Sequence, residues 1–280
     1  DSMQVYKYMD IGSAKITKEE MQRIPHYLVD VLNPDEPFHV ARFCEMAKDA
    51  LADIYKQDRL PLLAGGTGFY IQALLYDVDF SVGDEDQKLR ADLEELARTQ
   101  GNHALHERLK AIDPDSAKEI HENNVKRVIR AIEFYETTGE RISDHNQKQR
   151  ERESQYNFCF FVLTDDRKLM YEAIDKRVDQ MMEKGLYDEV KKLHDMGYTK
   201  DFVSMQGLGY KELLDVMEGN IRLQEAVYRI KRDTRHFAKR QLTWFKTQRD
   251  VIWIDKRDFS YDDEAILSFM EEECKKRELI

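Results

Sequence analysis

This sequence predicts an α/β fold: a parallel sheet flanked by helices and interrupted by an all-helical insertion. Two short apolar runs, residues 26–32 and 60–64, lack a helical period, and each is followed by a stretch that has one. That alternation builds a parallel sheet with helices on its faces. Strand signals vanish between residues 81 and 155 and return at 157–164 and 251–254. The expected organisation is a core of residues 1–80 and 156–280 around a helical insertion of residues 81–155.

The opening DSMQVYKYMDIGSAK mixes polar and aromatic residues without a clean period, so it reads as a loop of the kind in which functional side chains gather. Thr17–Arg23 reads as a short helix stopped by Pro25, and His26–Leu32 as a strand stopped by Asn33-Pro34. Val40–Gln57 is a helix with Phe43, Met46, Ala47, Ala50, Leu51 and Ile54 on one face. Leu60, Leu62, Leu63 and Ala64 suit a buried parallel strand. Gly65-Gly66 breaks that run, and Thr67-Gly68-Phe69-Tyr70 opens a helix with Tyr70, Ile71, Leu74 and Leu75 at helical spacing. A Gly-rich turn entering a helix brings backbone N–H groups, a hydroxyl and the helix dipole up to an anion. A plain turn with Thr67 as N-cap satisfies the same residues.

In the insertion, Asp86–Thr99, Ala104–Ile112, Ser116–His121 and Val125–Thr138 read as helices, punctuated by Asp113-Pro114 and Thr138-Gly139. Lys126, Arg127 and Arg130 share one side of the last, either as a solvated face or as an anion-binding patch. Asn157–Thr164 returns as a strand, and Asp166–Lys184 and Tyr187–Met196 are helices. Met205–Glu212 is a Gly-containing turn opening another helix, followed by the long helix Leu223–Lys246, the strand Val251–Ile254 and the acidic helix Asp262–Lys276.

The net charge of −11 does not itself suggest a nucleic-acid partner, but its distribution does. The long helix carries Arg229, Lys231, Arg232, Arg235, Lys239, Arg240 and Lys246 against only Glu225 and Asp233. A local basic helix in an acidic chain is suited to phosphate, whether of RNA or of a pyrophosphate. No apolar run is long enough to span a membrane and no signal peptide opens the chain. Cys44, Cys159 and Cys274 are far apart and odd in number, without metal-binding spacing, which predicts a reduced, cytoplasmic compartment.

Three stretches in order carry a resemblance to one family. DSMQVYKYMDIGSAK, PLLAGGTGFYIQALL and TRHFAKRQLTW (residues 234–244) resemble successive signatures of the tRNA dimethylallyltransferases, or tRNA isopentenyltransferases, and the resemblance covers essentially the whole chain. It implies a P-loop-NTPase-like core and transfer of a dimethylallyl group from dimethylallyl diphosphate to N6 of the adenosine 3′ of the anticodon, A37, releasing diphosphate. It implies Asp1 as general base, with Thr67 and Arg235 as further catalytic residues holding the diphosphate alongside Lys239 and Arg240. Ser2, Met3 and Gln4 match the loop that reads the adenine. Arg90, the Lys126-Arg127-Val128-Ile129-Arg130 segment and Gly209-Tyr210-Lys211 match segments at the tRNA anticodon stem-loop. Mg²⁺ is implied as a companion of the diphosphate, with no protein metal site. The absence of any zinc-finger spacing implies the bacterial type, and a monomer is expected.

The departure from the family is a missing phosphate-binding loop: no G-x-x-x-x-G-K-[ST] occurs, and the chain opens at Asp1 without Met. The sequence is therefore expected to begin downstream of the natural start, and as given to have little transferase activity. Other readings remain open at this point: a non-catalytic tRNA-binding fragment, an adenylate isopentenyltransferase acting on free AMP-type nucleotides, and a nucleotide kinase.

Overall fold

A computed structural model describes residues 1–78 and 87–280. They form two compact units, Asp1–Leu74 with Tyr156–Ile280, and Leu75–Gln155. The expected boundary at residues 80 and 81 and the expected helix start at Asp86 lie outside the described residues.

The discontinuous unit opens with a looped segment. Helix α1, Val40–Lys56, follows and buries Phe43, Cys44, Ala47 and Ala50 on one face, with His39 accepting the Arg42 amide as N-cap. Tyr6, Phe38, Phe43 and Tyr70 pack as an aromatic cluster with ring centroids 5.1–6.4 Å apart. Helix α2, Gly68–Leu75, starts directly after the Gly-rich turn.

The helical unit contains α3 (Gln87–Ile112), α4 (Pro114–Glu119), α5 (Val125–Thr138) and α6 (Ile142–Glu151). Gly101, at φ 87°, breaks α3 where two helices are expected. The α4 start combines an Asp113 N-cap with proline at the first turn, and α5 ends at Gly139 in the left-handed region. Leu93, Leu105, Leu109, Val128, Ile129, Ala131 and Ile132 form the core of this unit.

The rest of the first unit contains strand β1 (Phe160–Thr164), α7 (Arg167–Glu183), α8 (Leu186–Asp195), α9 (Tyr210–Met217), α10 (Leu223–Phe245), strand β2 (Val251–Asp255) and α11 (Asp263–Lys276). β1 and β2 pair in parallel, with Val162 opposite Trp253. This parallel pair and its surrounding helices are the α/β part of the architecture.

The structure departs from the sequence expectations at three early elements. Leu60–Ala64 is not a strand; Leu62 is 86% exposed, and among the described residues no segment forms a ladder with it. Apolar composition makes a strand only where a neighbouring backbone supplies hydrogen bonds. His26–Leu32 contributes a single parallel bridge, Tyr6 to Leu32, because Leu28 and Asp30 take positive φ and break its extension. Thr17–Arg23 is a set of turns: Thr17 and Glu20 make reciprocal backbone–side-chain bonds, but Gln22 and Arg23 at positive φ end the helix before it propagates.

Candidate functional site

The opening loop is built by its own polar residues. Both hydrogens of the Gln4 amide reach backbone oxygens, Ser13 at 3.3 Å and Ala14 at 2.9 Å. The Lys15 ammonium, with its side chain only 5% exposed, reaches the Tyr6 carbonyl at 2.6 Å, Asp10 at 2.6 Å and Asp30 at 2.5 Å. These bonds fold residues 9–15 back onto residues 4–6. Asp1 lies exposed at one end, with Oδ1 accepting the Met3 amide at 2.8 Å.

The Gly-rich turn meets this loop. The Ser2 and Thr67 hydroxyls lie 3.1 Å apart, and the Asp1 backbone nitrogen reaches the Ala64 carbonyl at 3.5 Å. On its other side the turn sits on α10, where Gln241 Nε2 donates to the Gly66 carbonyl at 2.8 Å. The approach is closest at the two glycines, and at Gly68 it leaves no room for a side chain. A Cβ on Gly66 would lie 2.1 Å from Gln241 Nε2, and one on Gly68 would lie 2.1 Å from the Trp244 ring. Thr67 thus sits at a backbone-close junction, with its hydroxyl within hydrogen-bond reach of Ser2.

Helix α10 divides its cations into two groups. In its N-terminal half, Arg229 pairs with Glu225 at 2.7 Å, Lys231 with Asp179 at 2.6 Å, Arg232 with Asp233 at 2.8 Å, and Arg235 with Asp175. Among the described residues Lys239 and Arg240 make no ion pair; both are exposed, and Arg240 lies over the Phe237 ring at 5.7 Å. Arg235 faces an open cavity of about 580 Å³ lined by Asp166, Arg167, Lys168, Tyr171, Glu172 and Asp175. At 100° per residue it sits about 120° around the helix from Gln241 and about 180° from Trp244. Among the described residues no hydrogen bond joins Arg235 to Thr67, and each has a partner of its own, Asp175 and Ser2.

Gly209-Tyr210-Lys211 opens α9. The Gly209 amide donates to Glu212 at 2.8 Å, and Lys211 lies 3.5 Å from the same carboxylate. Tyr210 is 1% exposed, and its hydroxyl donates to Glu189 at 2.8 Å. Burial, then the Glu189 charge, push that hydroxyl far above the ordinary tyrosine range, so it stays protonated. A side-chain contact of Tyr210 with a ligand is therefore replaced by an internal one. Sequence reasoning missed Glu189, whose backbone partners Asp10, Ile11 and Gly12 are 177–179 residues away in the chain.

The helical unit carries a separate group. Lys126 and Arg127 are exposed and Arg130 is half-buried, and among the described residues none makes an ion pair. Val128 and Ile129 between them are buried in the core, so this stretch of α5 presents cations alone to a partner. Arg90 on α3 is engaged bidentately by Glu133 at 2.9 and 2.8 Å.

Among the described residues no three His, Cys, Asp or Glu side chains could together hold a metal ion, and no helix is long and apolar enough to cross a membrane.

Comparison with known proteins agrees with the motif order. The IPP transferase family profile matches residues 4–248. A tRNA dimethylallyltransferase of Lachnoclostridium phytofermentans is 54% identical over the whole chain and 89% of its own length. One of Acetivibrio thermocellus is 51% identical over 95% of this chain and 85% of its own. Among solved structures, the full-length tRNA isopentenylpyrophosphate transferase of Bacillus halodurans superposes with a TM-score of 0.72 at 42% identity, covering 99% of this chain and 88% of that one. A eukaryotic dimethylallyltransferase acting on tRNA gives 0.77 at 28% identity over 93% and 67%. This chain belongs to the IPP transferase family.

Proposed function

We propose that the protein transfers a dimethylallyl group from dimethylallyl diphosphate to N6 of A37 in the tRNA anticodon loop. The observation that carries this reading is the meeting of the Asp1 loop and the Thr67 turn at the Ser2–Thr67 hydroxyl contact, on a helix whose exposed Lys239 and Arg240 make no ion pair among the described residues. In the reaction a bond forms between N6 and C1 of the dimethylallyl group, the C1–oxygen bond breaks, and the electron pair leaves on diphosphate. Asp1 accepts the N6 proton, the role a poor amine nucleophile requires. Thr67, Arg235, Lys239 and Arg240 take up the charge of the leaving group, with Arg235 exchanging its Asp175 partner for phosphate oxygen. Ser2, Met3 and Gln4 shape the adenine pocket. Gln4 reads the base through Oε1, since its amide hydrogens are committed to the loop.

The helical unit and the Gly209–Lys211 turn hold the anticodon stem-loop. Lys126, Arg127, Arg130 and Arg90 supply the phosphate contacts, and Val128 and Ile129 support them from the core. Mg²⁺ enters as a companion of the diphosphate, held by the diphosphate itself; among the described residues no three His, Cys, Asp or Glu side chains could together hold it. The same reading makes the protein a cytoplasmic monomer.

The experiment is to incubate the full-length gene product with labelled dimethylallyl diphosphate and either an anticodon stem-loop containing A37 or free AMP. Label is expected on the stem-loop alone. Label on AMP but not RNA overturns the RNA substrate, and tight RNA binding without label overturns the enzyme.

A further inference from the structure

Four donors converge on the Glu189 carboxylate of α8. Oε2 accepts the amides of Asp10 and Ile11 at 2.8 and 2.7 Å, and Oε1 accepts the Gly12 amide at 3.1 Å and the Tyr210 hydroxyl at 2.8 Å. Successive N–H groups turned toward one point form an anion-binding concavity, here filled by the chain's own side chain. The fit leaves no slack: a Cβ on Gly12 would lie 2.6 Å from the Tyr210 ring. These bonds span 177–179 residues of sequence and fasten the opening loop to the α8–α9 pair.

From this carboxylate a continuous line of contacts leads to the proposed reacting groups. The residues after Gly12, Ser13 and Ala14, receive both amide hydrogens of Gln4, and Lys15 returns to the Tyr6 carbonyl. Gln4 lies two residues from Ser2, whose hydroxyl meets Thr67.

We infer that Glu189 is a positioning residue, which fixes the Asp10–Gly12 amides and thereby sets the placement of Asp1 and Ser2 without touching substrate. Its catalytic consequence rests on the prenyl-transfer reading above; its structural consequence does not.

The test uses Glu189→Ala and Glu189→Gln in the full-length protein, with Asp188→Asn as a control on the same helical turn. Three quantities are read well below the melting temperature of every variant: hydrogen exchange of residues 4–15, the single-turnover rate of prenyl transfer, and the Kd for the anticodon stem-loop. Glu189→Ala is expected to speed exchange across residues 4–15 and to lower the single-turnover rate at least about tenfold, since small misplacement of reacting groups is costly. RNA Kd is expected to rise by a much smaller factor than the rate falls, because the phosphate contacts of Lys126, Arg127 and Arg130 belong to the helical unit and do not involve Glu189. Glu189→Gln, which keeps one strong acceptor oxygen, falls between wild type and Glu189→Ala in both exchange and rate, and carries the test alone if Glu189→Ala does not fold. Unchanged exchange overturns the inference. So does faster exchange with an unchanged rate, or a rate loss that tracks only the folded fraction. If the wild-type protein transfers no prenyl group, the functional reading fails, while the exchange data still decide whether Glu189 holds the loop.

Discussion

Arg90 and Glu133 form a two-pronged ion pair inside the helical unit, Nε to Oε1 at 2.9 Å and a terminal nitrogen to Oε2 at 2.8 Å. The Glu133 side chain is 4% exposed and that of Arg90 33%. Arg90→Ala strands a buried carboxylate, so the unit is expected to lose about 2 kcal/mol, less than the ~3–5 kcal/mol of a fully buried pair because Arg90 is partly solvated. Thermal unfolding of Arg90→Ala and of the double variant Arg90→Ala/Glu133→Gln separates the two roles. The double variant should recover most of the stability and none of the RNA affinity. Recovery of both would mean that Arg90 acts on RNA only through the fold.

The α5 cations should behave in the opposite way. Lys126, Arg127 and Arg130 have no ion-pair partner among the described residues, so neutralising all of them to Gln is expected to change stability by no more than about 0.5 kcal/mol. If they contact phosphate, RNA affinity falls and the dependence of log K on log salt flattens by about two in slope. A titration at several salt concentrations checks this. An unaltered slope would assign the cluster to a solvated face.

The helices of this chain were legible because their apolar residues recur at helical spacing; Val125–Thr138 forms over the residues that its pattern predicts. Helix α6 escaped because it buries none of its residues and so has no apolar stripe to read. The early strands failed for a different reason. Pairing depends on a partner backbone and on φ at Leu28 and Asp30, neither of which composition reveals. At the candidate site, the residue types and motif order pointed to the Asp1 loop and the Thr67 turn. Their supports did not show, because the bonds of Glu189 to Asp10–Gly12 and of Gln241 to Gly66 join residues about 175 or more apart.

Gly68→Ala tests the junction of the turn with α10. The added Cβ would lie 2.1 Å from Trp244 Cε3, inside a rigid ring that cannot yield as a flexible chain end would. Such overpacking costs about 1–3 kcal/mol. Turnover is expected to fall further than folded protein does, because the turn that must shift carries Thr67. Trp244 fluorescence follows the displacement directly, and an unchanged spectrum with full activity would contradict the close packing.

Asp113 sets an acid limit for the helical unit. It is 1% exposed and accepts the amides of Ser116 and Ser143 at 3.0 Å each and both hydroxyls at 2.7 Å. Burial alone would raise its pKa, but these bonds outweigh it and hold the carboxyl below the ordinary range. A depressed folded pKa contributes stability that is complete above the unfolded value, near 4, and is lost as pH falls through the folded value. Unfolding followed from pH 7 down to about 2.5 should therefore show a loss below about pH 4. Asp113→Asn should remove that contribution at pH 7 and flatten the acid limb. An unchanged limb would place the acid sensitivity elsewhere.

Asp1 is where proton transfer and RNA binding can be told apart. Its Oδ1 is held by the Met3 amide while the residue remains exposed, so the carboxylate is oriented by the loop yet open to a ligand. A group that acts only as N6 loses its proton contributes to the transition state and little to the bound ground state. In the full-length protein, Asp1→Ala is expected to lower the single-turnover rate by about 10²–10⁴, the range of general-base catalysis, with Kd for the stem-loop changed by less than about threefold. Asp1→Asn keeps the size and an acceptor oxygen for Met3 but cannot take a proton, so it should be as slow as Asp1→Ala. If Asp1→Asn retained near-normal turnover, the carboxylate would be a loop anchor, and the proton would leave N6 by another route.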